Sequence, residues 1–516
     1  MKLIEKTLFL FAGVVLMQQF ALAQAPGMLW QNCMGGTGYD QVTAIQQADD
    51  GGYACAIGSF DFKVVKLTPG GSIDWQKTYG GSDADVAYSI KTIPDHGYIV
   101  TGYTKSVNVD VTGNHGGADM WVLRIDILGN ILWEKCYGGS GDEQGRSVAV
   151  DPTGGFIIAG LTTSYDGDVK GRVVKTTAPD CDLWVVKIDD TGRIVWQRSY
   201  GGSMSDAANC IRCTNDKGYI VIGDTYSNDG DVKHFHRSAD TTSDMWAIKL
   251  NAAGDTVWER AMGGTGNETG SAIQQTIDGG YIAGGITGSV NGDVSGNHGD
   301  DDGWIVKLLP NGIIDWQKCI GGNNGDGIYD IDVTPDGWYV AAGVESSTNV
   351  TGNHGGYDFW ITKLAYKGTI VWQKCLGGSN HDYGSCMAQS RDKGFVMGGW
   401  TMSNDGDVSG NHGGHYDTWV VKMDPDTMKV PPLNINNPYQ ATTVSLSPNP
   451  STGVFKLQTP FNSGHITIYD LTGISIYESN ITDQNSVIDI RNFAAGVYML
   501  RINNNTTSDN YKLVKY

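Results

Sequence analysis

The 516 residues carry 36 Lys and Arg against 56 Asp and Glu, a formal net charge of -20. That length exceeds one ordinary domain, and so acidic a balance argues against nucleic acid, whose phosphates require clustered Lys and Arg. It suits an exported protein, a cation ligand or neutral sugars.

Met1 to Ala23 reads as a secretory signal. Lys2 and Lys6 flank its start, Thr7 to Met17 form an apolar core, and Ala21-Leu22-Ala23 is a small-x-small cleavage site. The apolar core is too short to span a bilayer, and no later stretch approaches transmembrane length.

Residues 28–424 are dominated by one repeat. Asp119–Gly139, DMWVLRIDILGNILWEKCYGG, recurs with little change from Asp182, Asp244, Asp302 and Asp358, and a second Trp follows the first after 12 residues in each copy. A fixed period of this kind is a structural repeat. Four strand signals fill each copy; in one they are Val86–Ile90, Tyr98–Gly102, Trp121–Ile125 and Ile131–Tyr137, rich in β-branched and aromatic residues and bounded by Gly, Asn and Asp. Four strands per repeat predict propeller blades.

The second Trp occurs at Trp30, Trp75, Trp133, Trp196, Trp258, Trp316 and Trp372. The first occurs at Trp121, Trp184, Trp246, Trp304, Trp360 and Trp419, with Lys63 in the slot of the shorter first copy. Both sets count seven but are out of phase at the ends. The expectation is therefore an all-β, seven-bladed propeller over 28–424, in which Met28–Met34 supplies the fourth strand of the blade begun at Tyr383. Ring closure removes the exposed sheet edges. The register Trp residues read as blade packing, leaving Trp338 and Trp400 as exceptions. Cys33, Cys136, Cys319 and Cys375 share one repeat position and read as small buried residues, and the CxxC of Cys210 and Cys213 lacks metal partners at zinc spacing.

Residues 425–442 have no repeat signature and read as a linker. A smaller β-rich unit follows over 443–516. Its stretches LSPNPSTGVFKL (446–457), ITIYDLTG (466–473), FAAGVYMLRI (493–502) and the closing KLVKY resemble the C-terminal sorting domain of the type IX secretion system. The resemblance implies a small β-sandwich, a bacterium of the Bacteroidetes group, recognition by the type IX machinery, and delivery to the outer cell surface or the medium. The propeller repeat is similar to quinoprotein-like bacterial repeats through Asp189-x-x-Gly192-x-x-x-Trp196. The vicinal cysteines of quinone-dependent dehydrogenases are absent, so that likeness implies fold and not activity.

Two recurrent polar features fall on the face shared by the long loops. A carboxylate follows each GlyGly by four residues: Asp40, Asp85, Glu143, Asp206, Glu268, Asp326 and Asp382. These acids read either as acceptors in their own interblade turns or as a cation-binding ring at the channel mouth. The loop 403–417 offers Asp405, Asp407, Asn411 and Asp417 as oxygen ligands for calcium. Its alternative reading, shared with the loops of His115, His298 and His354, is an Asx-turn network with each His bonded to backbone.

Departures from the repeat point to a ligand. Loops at 170–180 and 233–241 bring a local basic patch with Lys233 and Arg237, and Trp400 and Tyr103 end second strands where each either stacks on a sugar ring or packs under the loop. There is no nucleophile elbow, HExxH or phosphate loop. The reading is a binding or adhesion module for a glycan or protein, without enzyme activity. An extracellular polysaccharide hydrolase or lyase and a structural surface protein are the alternatives.

Overall fold

The computed structural model describes residues 23–427 and 445–515, apart from 37, 95, 173–179, 237–241, 348–349, 414, 448–450, 460–461, 470–474 and 504–507. The expected signal and most of the expected linker lie outside the described residues. The chain divides into two compact units, Met1–Thr427 and Met428–Tyr516. Among the described residues every regular element is a strand, and no helix is long and apolar enough to cross a membrane.

In the first unit the described strands form seven four-stranded antiparallel sheets. One holds Asp85–Ile93, Gly97–Thr104, Asp119–Ile125 and Ile131–Tyr137, paired in chain order. The N-terminal strand Met28–Met34 instead runs antiparallel to Asp417–Met423 and is the fourth strand of the sheet begun by Asp382–Gln389. Four-stranded sheets repeated around a shared channel are the architecture of a β-propeller.

The two Trp registers have different tasks. Trp121, Trp184, Trp246, Trp304, Trp360 and Trp419 are fully buried in third strands. Five of the six donate their indole N–H to a Glu or Gln on the fourth strand, as Trp121 does to Glu134 at 2.8 Å. The fourth-strand Trp residues reach across to the next sheet. Their rings meet a Tyr or Phe of its second strand at 5.6–6.4 Å in all seven copies, including Trp372 on Phe395 and Trp30 on Tyr53. The hairpin turn beneath must be glycine: Gly71 has φ 86° and a Cβ there would fall 2.6 Å from the Trp30 ring.

The third strands also bury a cation in each copy, which the sequence reading passed over. Lys66, Lys187, Lys249, Lys307, Lys363 and Lys422 pair with aspartates at 2.5–3.0 Å. Arg124 takes the same place in the remaining sheet, donating to the carbonyls of Tyr98 and Ile125. A buried cation without such acceptors would cost several kcal/mol.

Each first strand carries a β-bulge at one fixed position. The residue left out of register is Thr43, Tyr88, Arg146, Asn209, Ser271, Tyr329 or Ser385, and all seven line a central cavity of about 340 Å³. A bulge leaves its extra residue unpaired and re-aims it, so this layer points into the channel.

In the second unit, Ser445–Ser447, Val454–Gln458 and Asn485–Asp489 form one sheet. Ser475–Ile481, Gly464–Tyr469, Gly496–Asn503 and Ser508–Lys515 form the other. Phe455, Leu457, Ile466, Ile468, Leu500 and Leu513 lie in one buried cluster shared by the two sheets. All nine cysteines of the chain are free thiols, buried or half-buried.

Candidate functional site

The recurrent acids sit in the interblade turns as acceptors. Asp85, Glu143, Asp206, Glu268, Asp326 and Asp382 are buried, and each accepts the N–H of the second glycine of its GlyGly at 2.7–2.8 Å. Hydroxyls complete the shell: Thr104 and Ser106 on Asp85, Thr162 on Glu143, Thr225 and Ser227 on Asp206. Asp40 differs, being half-buried with its backbone N–H on the Tyr416 carbonyl. Six of the seven thus spend their oxygens on local donors.

The sixth sheet breaks this pattern. Glu345 stands where five of the other six sheets have Thr, fully buried beside Asp326. Burial, and then the neighbouring Asp326 carboxylate, push Glu345 up to about 7.

The loop acids are equally committed. Asp405 accepts the N–H of Ser379 at 2.8 Å, and Asp407 accepts that of Gly377 at 3.4 Å. Asn411 donates to the carbonyls of Thr401 and Ser403 and accepts from Gly413. Asp417 accepts from the His412 backbone, with His412 Nδ1 also at 2.7 Å. Among the described residues no group of three or more His, Cys, Asp or Glu is disposed to hold a metal. The histidines correct the expectation in one respect: His115, His298, His354 and His412 turn Nδ1 to the aspartate that opens the third strand, at 2.6–2.7 Å, and not to backbone. Burial raises Asp119, Asp302 and Asp358, the last to about 6.

The aromatic residues come together where the repeat is broken. Six sheets join their second and third strands by a long loop; the first joins Tyr53–Gly58 to Phe62–Leu67 through Ser59–Asp61 alone. The missing loop leaves a groove of about 700 Å³ lined by Tyr39, Phe60, Tyr88, Tyr103 and Tyr416, with Asp40, Gln41 and Asp61 among its polar groups. Phe60 is 71% exposed and Tyr39 55%. Tyr88 and Tyr103 lie 5.8 Å apart at 47°. Burial pushes the phenols of Tyr88, Tyr103 and Tyr416 upward, so they stay protonated and can donate to an oxygen.

Of the two readings of Trp400, the packed one fits its surroundings. It pairs across strands with Tyr383 and stacks on it at 5.3 Å and 3°, and it also stacks on Tyr416 at 4.6 Å and 28°. The indole is one layer of a stack leading to Tyr416 at the groove. Tyr103 lines the groove itself.

The basic loops are thinner than their sequence suggests. Arg172 is buried, paired with Asp180 and Asp182 at 3.2 and 3.0 Å and lying over the Tyr165 ring. Lys233 is exposed; Arg237 lies outside the described residues. The sequence reading missed Tyr39, Phe60, Tyr88 and Tyr416. The signals available were the short first loop and the variable residue three positions after each recurrent acid.

Residues 445–516 match the secretion system C-terminal sorting domain, so the chain carries a type IX export and sorting signal. Over 290 residues the chain is 23% identical to an uncharacterised WD repeat-containing protein of Acanthamoeba polyphaga mimivirus, covering 43% of this chain and 20% of that one. The chain thus spans about a fifth of that relative's length. Among solved structures it is similar to PorZ, a surface component of the type IX secretion system of Porphyromonas gingivalis. Identity there is 11%, coverage 91% of this chain and 59% of PorZ, and the TM-score 0.38. It is also similar to the Pan2 WD40 domain of Neurospora crassa, at 10% identity, 76% and 90% coverage, and a TM-score of 0.42.

Proposed function

We propose that this chain is an exported, cell-surface binding module whose propeller holds a glycan in the groove of the first repeat. The observation that carries the reading is the cluster of Tyr39, Phe60, Tyr88, Tyr103 and Tyr416 around a groove opened by a shortened loop. Aromatic faces beside Asp and Gln suit a sugar, which presents apolar C–H faces and a rim of hydroxyls. Seven blades over 28–424, closed by Met28–Met34, give this groove its rigid rim. The sorting unit over 443–516, after the linker 425–442 and with Met1–Ala23 as export signal, brings it to the surface.

The aromatic lining supports the binding reading, while Asp40 and Asp61 in the same groove are the carboxylates that the hydrolase or lyase reading would use. The test is a panel of polysaccharides titrated into the full chain and its Tyr103→Ala and Phe60→Ala variants. Affinity for one glycan should fall roughly five-fold or more in each variant, with no product released. Turnover of that glycan would install the hydrolase reading. A panel with no binder would leave the structural surface protein.

A further inference from the structure

The channel below the groove has a chemistry of its own. Three residues beyond the bulge layer the first strands carry a second inward layer, in which Lys91, Arg212 and Asp332 come from the second, fourth and sixth sheets and line the same cavity. The acids there take backbone donors: Asp332 accepts the N–H of Val333 at 2.8 Å, and Asp330 accepts those of Ile331 and Met387 at 2.9 Å. The cations have donors to spare. Arg212 gives a hydrogen bond from a terminal nitrogen to the Ile211 carbonyl at 3.1 Å and interacts with the Cys210 thiol. Among the described residues no hydrogen-bond or ion-pair partner of the Lys91 ammonium is found, although Asp330 and Asp332 lie within reach of its field.

Two half-buried cations with spare donors that line one cavity form a binding site by the ordinary rule that charge drawn out of bulk water is paired. We propose that the channel holds a compact oxyanion, a carboxylate or an inorganic oxyanion, between Lys91 and Arg212. Arg146, in the layer above, is already bonded to Asn209 at 2.8 Å and stands at the entrance to the site. Tyr88 and Thr43 line both the channel and the groove. The oxyanion therefore has two sources, the acid group of a sugar entering from the groove or a free ion. The inference goes beyond the groove reading and does not depend on it.

The groups facing Lys91 are Arg212, Asp330, Asp332 and Cys210. Burial, and then Arg212, hold Lys91 down to about 8, so anion binding should be strong at pH 7 and weaken above pH 8.

The experiment is calorimetric titration of the full chain with sodium sulfate, sodium glucuronate and glucose at pH 7 and pH 9.5. At least one anion should bind saturably and glucose should not match it. Affinity should fall about ten-fold in Lys91→Met and in Arg212→Met, and again at pH 9.5, while Arg212→Lys retains most of it. Circular dichroism selects variants that melt like the parent. Sulfate binding alone assigns a free ion; tighter glucuronate binding that Tyr103→Ala weakens assigns an acidic sugar. Absence of saturable binding by both anions, or full binding in both methionine variants, overturns the proposal.

Discussion

The third strands and the bulges of the first strands are equally regular in backbone and opposite in sequence. At the third-strand position six of seven residues are Trp, each sealed in the same packing. At the bulge the seven residues are Thr, Tyr, Arg, Asn, Ser, Tyr and Ser. A side chain wedged between layers has one shape that fits, because interiors are close-packed and a volume error is felt at once. A side chain re-aimed into the channel finds a different partner in each copy, as Thr43 does on the Ala87 carbonyl and Asn209 on Asp224, so the repeat puts no single demand on its identity. Sameness marks packing and variety marks the surface available to a ligand.

Five changes break or sharpen that contrast. Deleting Met28–Met34 removes a whole strand and the Trp30 contact. The melting temperature should fall on the order of 10 °C; a truncated chain that melts like the parent would show that the strand is dispensable. Trp246→Ala empties a fully buried position and should cost about 3–5 kcal/mol in denaturant titration. Ser271→Ala, in the bulge layer, should stay within about 0.5 kcal/mol of the parent by the same measurement. A Ser271→Ala loss equal to that of Trp246→Ala would end the distinction drawn here.

Glu345 supplies a pH-dependent version. Its folded-state value lies above the ordinary 4.5, near 7, so the native state holds the proton more tightly than the unfolded chain. That contribution is complete below about pH 4.5 and disappears as pH rises through 7. Glu345→Gln, neutral throughout, should melt with the parent at pH 4.5 and above it at pH 8. Equal melting at both pH values would remove Glu345 from the account.

A small gain in stability lies at a strained turn. Val109 has φ 61° and is 82% exposed, at the place where other repeats have Gly167, Gly230, Gly292 and Gly406. A β-branched residue is strained there, so Val109→Gly should stabilise the chain by about 1 kcal/mol. A loss instead would mean that the Val109 side chain has a compensating contact.

The repeat period made the sheets legible before any coordinates: Trp121 and Trp133, 12 residues apart, fall in paired strands with the turn glycine between them. The pairing of Met28–Met34 with the last sheet followed from the phase of Trp30 and Trp419. The site was less legible. Tyr103 was visible as a departure at a strand end, but Tyr39, Phe60 and Tyr416 share a groove only because three separate segments meet there. Trp400 illustrates the converse: sequence marks it as exceptional, and only the stack with Tyr383 and Tyr416 shows its faces in use. Bulges leave no local composition signal, so the aim of Tyr88 and Arg146 could not be read from strand alternation, which a bulge shifts by one.

The strand at the start of the repeat region also sets an order of events in folding. Gln31 accepts the indole N–H of Trp419 across 388 residues of chain. Such a contact cannot form early, because nearly the whole loop must be closed first. A chain made from its N-terminus carries a waiting first strand, and later an unfinished three-stranded sheet, until Asp417–Met423 is present to pair with Met28–Met34. Completion of that ladder therefore reports that the whole repeat region has been made.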